Sequence, residues 1–286
     1  MGEWVNLEGD RSLEIDSICV RLHDWTASEL FGDIRQYHLM LPATPQFLDT
    51  AGLNSESPLS RELFEKFLSK FNDVPDLNKF LYLYDVRKLI ASIQECSKEV
   101  KQLVGEFYRI LNCEPFFVPA MTFENEVRWS TSPAITMLWA TLGFIFIRLH
   151  SLLDYIAKLA REAQSLKAEF KKYPKLVSSS FLYGSRKKLR INNTEGTLFE
   201  DCPCVHEIEL IRNHIIHDGL LDDMPKGYEV YKNGNAVERF LLMPDRRGKQ
   251  FDRYVNRCLF YGTEDKINLR LPQLIEDFQA RLLMTL

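Results

Sequence analysis

The sequence lacks the marks of several large classes of protein. Its six cysteines are scattered over 286 residues and do not form a disulfide framework, so we expect the reduced thiols of a cytoplasmic protein. No glycine-rich phosphate loop and no nucleophile elbow is present, which argues against P-loop and α/β-hydrolase chemistry. The chain does not open with a basic start and an apolar stretch, so we expect no signal peptide.

The sequence also lacks a strong excess of charge of either sign. Thirty-six Lys and Arg residues stand against 40 Asp and Glu residues, a formal net charge of −4. The surface as a whole is therefore not basic enough to bind nucleic acid, and any contact with nucleic acid must come from local basic patches. The most apolar run, residues 134–147, contains no charge but is shorter than the roughly 18 to 20 residues that span a bilayer. We predict a buried core helix there and no membrane partner.

The hydrophobic pattern that is present predicts a mainly α protein. Apolar residues at helical spacing, with Ser, Asp or Pro near the start of each run, predict an up-and-down helical bundle. Asn233-Gly234 between two extended runs predicts a β-hairpin inserted before the last helix, and Gly219 ends the helix before the hairpin. The predicted helices span residues 58–72, 76–112, 132–173, 203–217 and 269–283.

The first 55 residues have a different pattern, which predicts a small mixed α/β segment. Residues 18–23 alternate apolar and more polar side chains, which is typical of a half-buried strand. A second extended stretch is predicted over residues 36–41, before two prolines stop it. Residues 52–58, GLNSESP, have the composition of a linker. We therefore predict two domains, residues 1–55 and a helical domain of residues 56–286.

The predicted helix over residues 203–217 carries an unusual set of polar side chains. At about 100° per residue, His206, Asn213 and His217 fall within about 40° of one another. Arg212 points into the apolar sector of the same helix, where a guanidinium is costly unless a carboxylate or the anion of a ligand pairs with it. This helix therefore combines groups suited to proton transfer with a group suited to anion binding.

Two carboxylates are candidates to pair with Arg212. Glu209 lies one turn back on the same helix, and Asp154 follows His150 by four residues, so these last two share a helix face. We take Asp154, His150 and Glu209 as supporting residues. The residue types alone also fit a surface helix with a salt bridge, or an unrelated helical interaction protein with a buried Arg212 ion pair.

The stretch LIRNHIIHDG, residues 210–219, resembles the signature of the HEPN superfamily. That signature is an Arg, a polar residue that is commonly Asn, three variable residues and a His, inside a late helix of an up-and-down bundle. Arg212, Asn213 and His217 fill every defined position. The resemblance covers about residues 76–286 and implies an endoribonuclease of toxin or antiviral-defence type that needs no metal and no cofactor.

The resemblance also implies roles and partners. His217 would act as general acid or base, Arg212 would bind the phosphate, and Asn213 would orient either of them. Arg212 and His217 lie about 140° apart on an α-helix, and dimerisation in the family brings two such helices together, so we expect a homodimer that acts on RNA. An antitoxin or a defence-system protein is a further candidate partner. The alternative is a non-catalytic HEPN module that binds RNA, a nucleotide or a partner protein.

A basic stretch lies outside the motif. Residues 171–190 hold seven Lys and Arg residues and no acidic residue, and we predict that four of them contact the RNA backbone. Arg246, Arg247 and Lys249 are further candidates to hold the RNA backbone. A solvated loop would explain both basic runs equally well. The four predicted contacts are Arg186, Lys187, Lys188 and Arg190.

The sequence Cys202-Pro-Cys204-Val-His206 contains residue types that bind zinc. A structural zinc site needs four ligands, usually in two pairs, and no second pair is evident. We therefore predict no metal.

Overall fold

The protein is mainly α, as the hydrophobic spacing predicts. The structure is a computed structural model, which describes residues 11–117, 121, 123–167, 169–257 and 259–286. Residues 1–10 of the predicted N-terminal segment lie outside the described residues. Short 3-10 turns cover Leu41–Ala43 and Tyr183–Lys188, and a π turn covers His214–Asp218. The α-helices are α1 (Ser12–Phe31), α2 (Ile34–Met40), α3 (Phe47–Thr50), α4 (Arg61–Leu68), α5 (Leu77–Cys113), α6 (Pro133–Ser165), α7 (Pro203–Asn213) and α8 (Ile267–Thr285).

The β-hairpin predicted at Asn233-Gly234 is present, and a third strand joins it. The φ angles of the two turn residues are 49° and 78°, as a type I′ turn requires. β1, β2 and β3 form an antiparallel sheet in that order, while β4 pairs with β7 and β5 pairs with β6. The strands are β1 (Glu126–Ser130), β2 (Gly227–Lys232), β3 (Asn235–Phe240), β4 (Leu242–Met243), β5 (Arg246–Arg247), β6 (Gln250–Phe251) and β7 (Asp265–Lys266).

The chain divides into two compact units, each with its own core. Residues 96–151 and 194–285 form what we call the motif unit, where buried apolar side chains of α5, α6, α7 and α8 make the core. Residues 13–95 and 152–193 form the N-terminal unit, whose buried apolar side chains come mainly from α1, the start of α5 and the end of α6. Residue 55, the predicted domain boundary, lies within the second of these units.

The strand predicted over residues 18–23 is wrong, because this segment is part of α1. Ile15 and Cys19 are buried one helical turn apart, whereas Val20 is 57% exposed. The helical period over the whole segment therefore decides the structure, and the short alternation is coincidental. Residues 36–41 are also helical, in α2 and the 3-10 turn that follows it.

Several helix ends differ from their predicted positions, and α4 also ends early, at Leu68. α4 begins at Arg61, because Ser60 is its N-cap and accepts a hydrogen bond from the Leu63 N–H at 3.3 Å. A serine hydroxyl at this position satisfies an N–H group that the first turn leaves open. α6 ends at Ser165 and not near Tyr173.

α6 carries the apolar run and buries one side of it. Ile135, Leu142 and Phe146 are fully buried, which supports the predicted core helix. Of the helices in the described residues, α6 is the one that is long and apolar enough to cross a membrane, and 44% of its most apolar window is buried.

Candidate functional site

The motif lies where α7 passes into the π turn. α7 begins at Pro203, a residue whose fixed φ suits the first position of a helix. Its apolar face buries Val205, Ile208 and Ile211. At His214 the α-helix gives way to the π turn, so the motif starts in one kind of helix and ends in another.

Gly219 closes the π turn. Its N–H donates to the carbonyl oxygen of His214 at 3.0 Å, which is the five-residue bond that defines a π-helix. Its φ is 110°, in a region that glycine adopts readily and other residues rarely do. The predicted end of the helix at Gly219 is therefore confirmed, but the change of helix type before it was not predicted.

The π turn alters the relation between Arg212 and His217. Residues five apart lie about 140° apart around an α-helix. A π turn takes more residues for each revolution, because its hydrogen bonds join residues five apart. The angle around the helix axis between Arg212 and His217 is therefore smaller than in an α-helix. The two side chains consequently lie closer to one face of the helix. Single π turns inside helices are frequent at functional sites.

The three motif side chains are accessible. Arg212 is partly buried, whereas Asn213 and His217 are exposed. Arg212 Nη1 donates to Asn213 Oδ1 at 2.9 Å, and this is the one hydrogen bond of that guanidinium within the described part of the chain. Its remaining N–H groups can therefore bind an anion. A guanidinium, an amide and an imidazole on one accessible turn can hold a phosphate and transfer protons.

His214, at a variable position of the motif, is the buried histidine of the π turn, with 5% exposure. Its Nε2 donates to the Leu220 carbonyl oxygen at 3.1 Å, so its Nδ1 accepts a hydrogen bond from Arg253 Nη2, also at 3.1 Å. The same Arg253 nitrogen donates to Asp218 Oδ2 at 2.8 Å. Arg253 thus holds the π turn at two of its five residues.

Arg253 also pairs with the negative charge of the π turn. Its hydrogen bond to Asp218 lowers the pKa of that carboxyl below its ordinary value near 3.8. The carboxylate next to His217 is therefore paired with a guanidinium and stays ionised to a lower pH than an unpaired Asp would. No sequence signal links Arg253 to the motif, because Asp218 and Arg253 lie 35 residues apart in the chain.

The three predicted supporting residues lie in different places. Glu209 is partly buried on α7, and His150 is partly buried on α6. Asp154, also on α6, belongs to the N-terminal unit, where its Oδ1 accepts a hydrogen bond from the Tyr183 N–H at 2.8 Å. Within the described residues, the Arg212 guanidinium bonds to Asn213 and pairs with neither Glu209 nor Asp154.

α6 holds the predicted basic loop by the backbone of that loop. Glu162 Oε1 accepts a hydrogen bond from the Ser178 N–H at 2.7 Å. The side-chain amide of Gln164 bonds both the N–H and the carbonyl oxygen of Arg190, at 3.1 and 2.9 Å. These bonds hold the loop through its main-chain atoms.

The four residues predicted to contact RNA differ in their exposure and contacts. Lys187, Lys188 and Arg190 are exposed, as backbone binding of a polynucleotide would require. The Arg186 guanidinium lies over the Tyr183 ring, 4.2 Å from its centroid, in a cation–π contact. That these residues bind RNA stays a prediction.

His206 belongs to an ion-pair cluster with Asp201 and Lys249. Lys249 Nζ lies 2.9 Å from Asp201 Oδ1 and 2.9 Å from His206 Nε2, and the His206 ring also contacts Asp201. Cys204 is buried, and this burial raises the pKa of its thiol. Across the described residues, no group of three or more His, Cys, Asp or Glu side chains is placed to hold a metal ion.

An apolar surface borders the π turn. A cavity of about 390 Å³, lined mainly by apolar side chains, lies between α6 and the π turn. Four large apolar residues in or next to its lining are between 44% and 66% exposed. Of the four, Phe144 and Leu220 line the cavity, while Ile216 and Met224 are next to lining residues in the chain. Large exposed apolar groups are typical of sites of contact with another chain or a ligand. We call them the apolar surface: Phe144, Ile216, Leu220 and Met224.

Comparison with known proteins finds no relative of this chain. No family model, no curated protein and no solved structure matches the chain. Any function must therefore be argued from the motif, from its position on the π turn and from the surfaces around it.

Proposed function

We propose that this chain is a metal-independent endoribonuclease of the HEPN superfamily, of toxin or antiviral-defence type. The observation that carries the proposal is the accessibility of Asn213 and His217, with Arg212 hydrogen-bonded to Asn213. A buried ion pair of Arg212 would instead have removed the guanidinium from any ligand. The residue types and their spacing match the motif in full.

These residues suit cleavage of RNA by its own 2′-hydroxyl. The 2′-oxygen attacks the adjacent phosphorus, and its proton passes to a neutral imidazole of His217. The bond from phosphorus to the 5′-oxygen breaks, and that oxygen takes a proton from an imidazolium. Arg212 binds the non-bridging phosphate oxygens, and Asn213 orients them. The products are a 2′,3′-cyclic phosphate and a 5′-hydroxyl.

A homodimer would supply both the base and the acid. His214, the other histidine of the π turn, uses both ring nitrogens inside the fold, so it is not free to transfer protons. Two copies joined with their π turns facing each other would present one His217 as base and the other as acid. We assign the apolar surface to this contact, because its burial between two copies removes apolar area from water.

RNA cleavage by the purified protein in excess EDTA tests the proposal. We expect wild type to cut single-stranded RNA and to leave 2′,3′-cyclic phosphate ends. We expect His217→Ala to be inactive, because the group that transfers the proton is gone. The matched control is His38→Ala, which removes another exposed histidine and should cut like wild type.

The outcomes separate the proposal from its alternative. Equal cutting by wild type and His217→Ala would assign the activity to a contaminant and end the proposal. RNA binding without cleavage would instead support the non-catalytic HEPN module.

A further inference from the structure

The turn over residues 254–257 has an unusual conformation. The Arg257 N–H donates to the Tyr254 carbonyl oxygen at 2.8 Å, and the two residues pair as an isolated antiparallel bridge. Val255, the first residue between them, has φ 46°, a position that Gly, Asn or Asp usually takes in such turns. A β-branched residue there is strained, and such strain is concentrated at binding and catalytic sites.

The same turn displays an aromatic ring to solvent. Tyr254 is 69% exposed and Val255 is 81% exposed, so neither adds much to the hydrophobic core. A tyrosine held on a tight turn keeps its ring face open, and every nucleobase has a flat face that can stack on it.

The turn is attached directly to the proposed active site. Arg253, the residue before Tyr254, binds Asp218 and His214 of the π turn. Asp218 in turn is the neighbour of His217 in the chain. Arg253 therefore links the turn that carries Tyr254 to the residue that follows His217.

Two exposed arginines belong to this turn or pair with a residue just before it. Arg257 is exposed and has no carboxylate partner within the described residues. Arg247, with a side chain 83% exposed, pairs with Asp252 at 3.2 Å. Exposed ion pairs contribute little to stability, so Arg247 can exchange its carboxylate for a phosphate, which a guanidinium binds with two N–H groups.

We infer that residues 254–257 are a stacking platform for single-stranded RNA, with a base on Tyr254 and the backbone on Arg257 and Arg247. Duplex RNA hides its base faces inside the helix, so it cannot use the ring. The inference rests on the proposed function, which identifies the bound strand as the one that is cut.

Binding to a catalytically silent protein tests the platform. The full chain with His217→Ala would be titrated against a fluorescent single-stranded RNA and against the same RNA in a duplex. Adding Tyr254→Ala should weaken single-strand binding about tenfold, the expected loss of one base stack. Tyr254→Phe keeps the ring and should bind within about twofold of its parent on the same physical grounds.

A matched control separates stacking from a general loss of aromatic surface. Trp25→Ala removes another exposed aromatic side chain and should leave binding unchanged. Thermal unfolding of Tyr254→Ala should match that of its parent, because the ring is exposed.

The inference and the proposed function fail in different ways. If Tyr254→Ala binds single-stranded RNA as tightly as its parent, or if the duplex binds better than the single strand, the platform is excluded. Cutting by the otherwise wild-type chain, measured separately, then still decides whether the protein is a nuclease.

Discussion

At the scale of single residues, Arg253 binds both His214 and Asp218 of the π turn from a segment outside the motif. Its hydrogen bond lowers the pKa of Asp218 below the ordinary value near 3.8. The folded pKa therefore lies below the unfolded one. The ion pair stabilises the fold at pH above the unfolded pKa, and this contribution is lost as pH falls through the folded pKa.

Removal of the Arg253 guanidinium should raise the pKa of the Asp218 carboxyl. In Arg253→Gln we expect the pKa of Asp218 to rise toward 3.8, measured by carboxyl carbon shifts in an NMR titration. Asp245 is the internal control, because its lowered pKa depends mainly on the Thr263 hydroxyl and not on Arg253. An unchanged Asp218 titration in Arg253→Gln would show that the ion pair does not form in solution.

The sequence identifies the candidate residues that are local and misses those that are distant. Arg212, Asn213 and His217 can be found because they lie within six consecutive residues and match a known signature. The roles of His214 and Arg253 depend on contacts between segments 39 residues apart. No periodicity in one sequence records such a contact, so this part of the site is seen only in the structure.

At the scale of elements, the π turn is the feature on which the site geometry depends. Gly219 closes it with φ 110°, and a Cβ there would meet nothing within 4 Å. The requirement for glycine is therefore conformational and not steric.

Gly219→Ala should therefore destabilise the protein through the backbone alone. We expect a loss of about 1 to 3 kcal/mol in the free energy of unfolding, the usual cost of such a backbone conformation, measured by denaturant titration. Gly184→Ala is the matched control: its φ lies outside the left-handed region and its surroundings are open, so its effect should stay within about 0.5 kcal/mol. Equal stability of both variants would mean that residue 219 does not hold this conformation.

Prediction of elements succeeded where patterns were long. α5 and α8 were found close to their actual bounds because apolar residues repeat over many turns. Part of α1 is wrongly predicted as a strand, because residues 18–23 alternate apolar and polar side chains although the longer segment has a helical period. β1 was missed because its side chains are exposed or only partly buried, which leaves no alternation to detect.

At the scale of the whole molecule, composition and the spacing of apolar residues predict the mainly α class. They do not predict the division of the chain into two units. Each unit is assembled from segments far apart in the chain. Their grouping depends on tertiary contacts, which one sequence does not reveal.

The proposed homodimer should depend on the apolar surface. We expect Leu220→Asp to convert the dimer into a monomer in light scattering, because a charge in an apolar interface is costly to desolvate. Cleavage should fall in step with the dimer that is lost. Leu39→Asp places the same charge on another exposed leucine and should leave the dimer intact. A wild-type protein that is monomeric at all concentrations yet cuts RNA would contradict the shared site.

The most direct measurement of the proposed chemistry removes one atom from the substrate. The RNA bond that wild type cuts fastest in EDTA would be resynthesised with a 2′-deoxy sugar on its 5′ side. If the 2′-oxygen is the nucleophile, cutting should stop at this bond and continue at neighbouring bonds, and His217→Ala should cut neither RNA. Continued cutting at the deoxy position would contradict attack by the 2′-oxygen and, with it, the roles proposed for Arg212, Asn213 and His217.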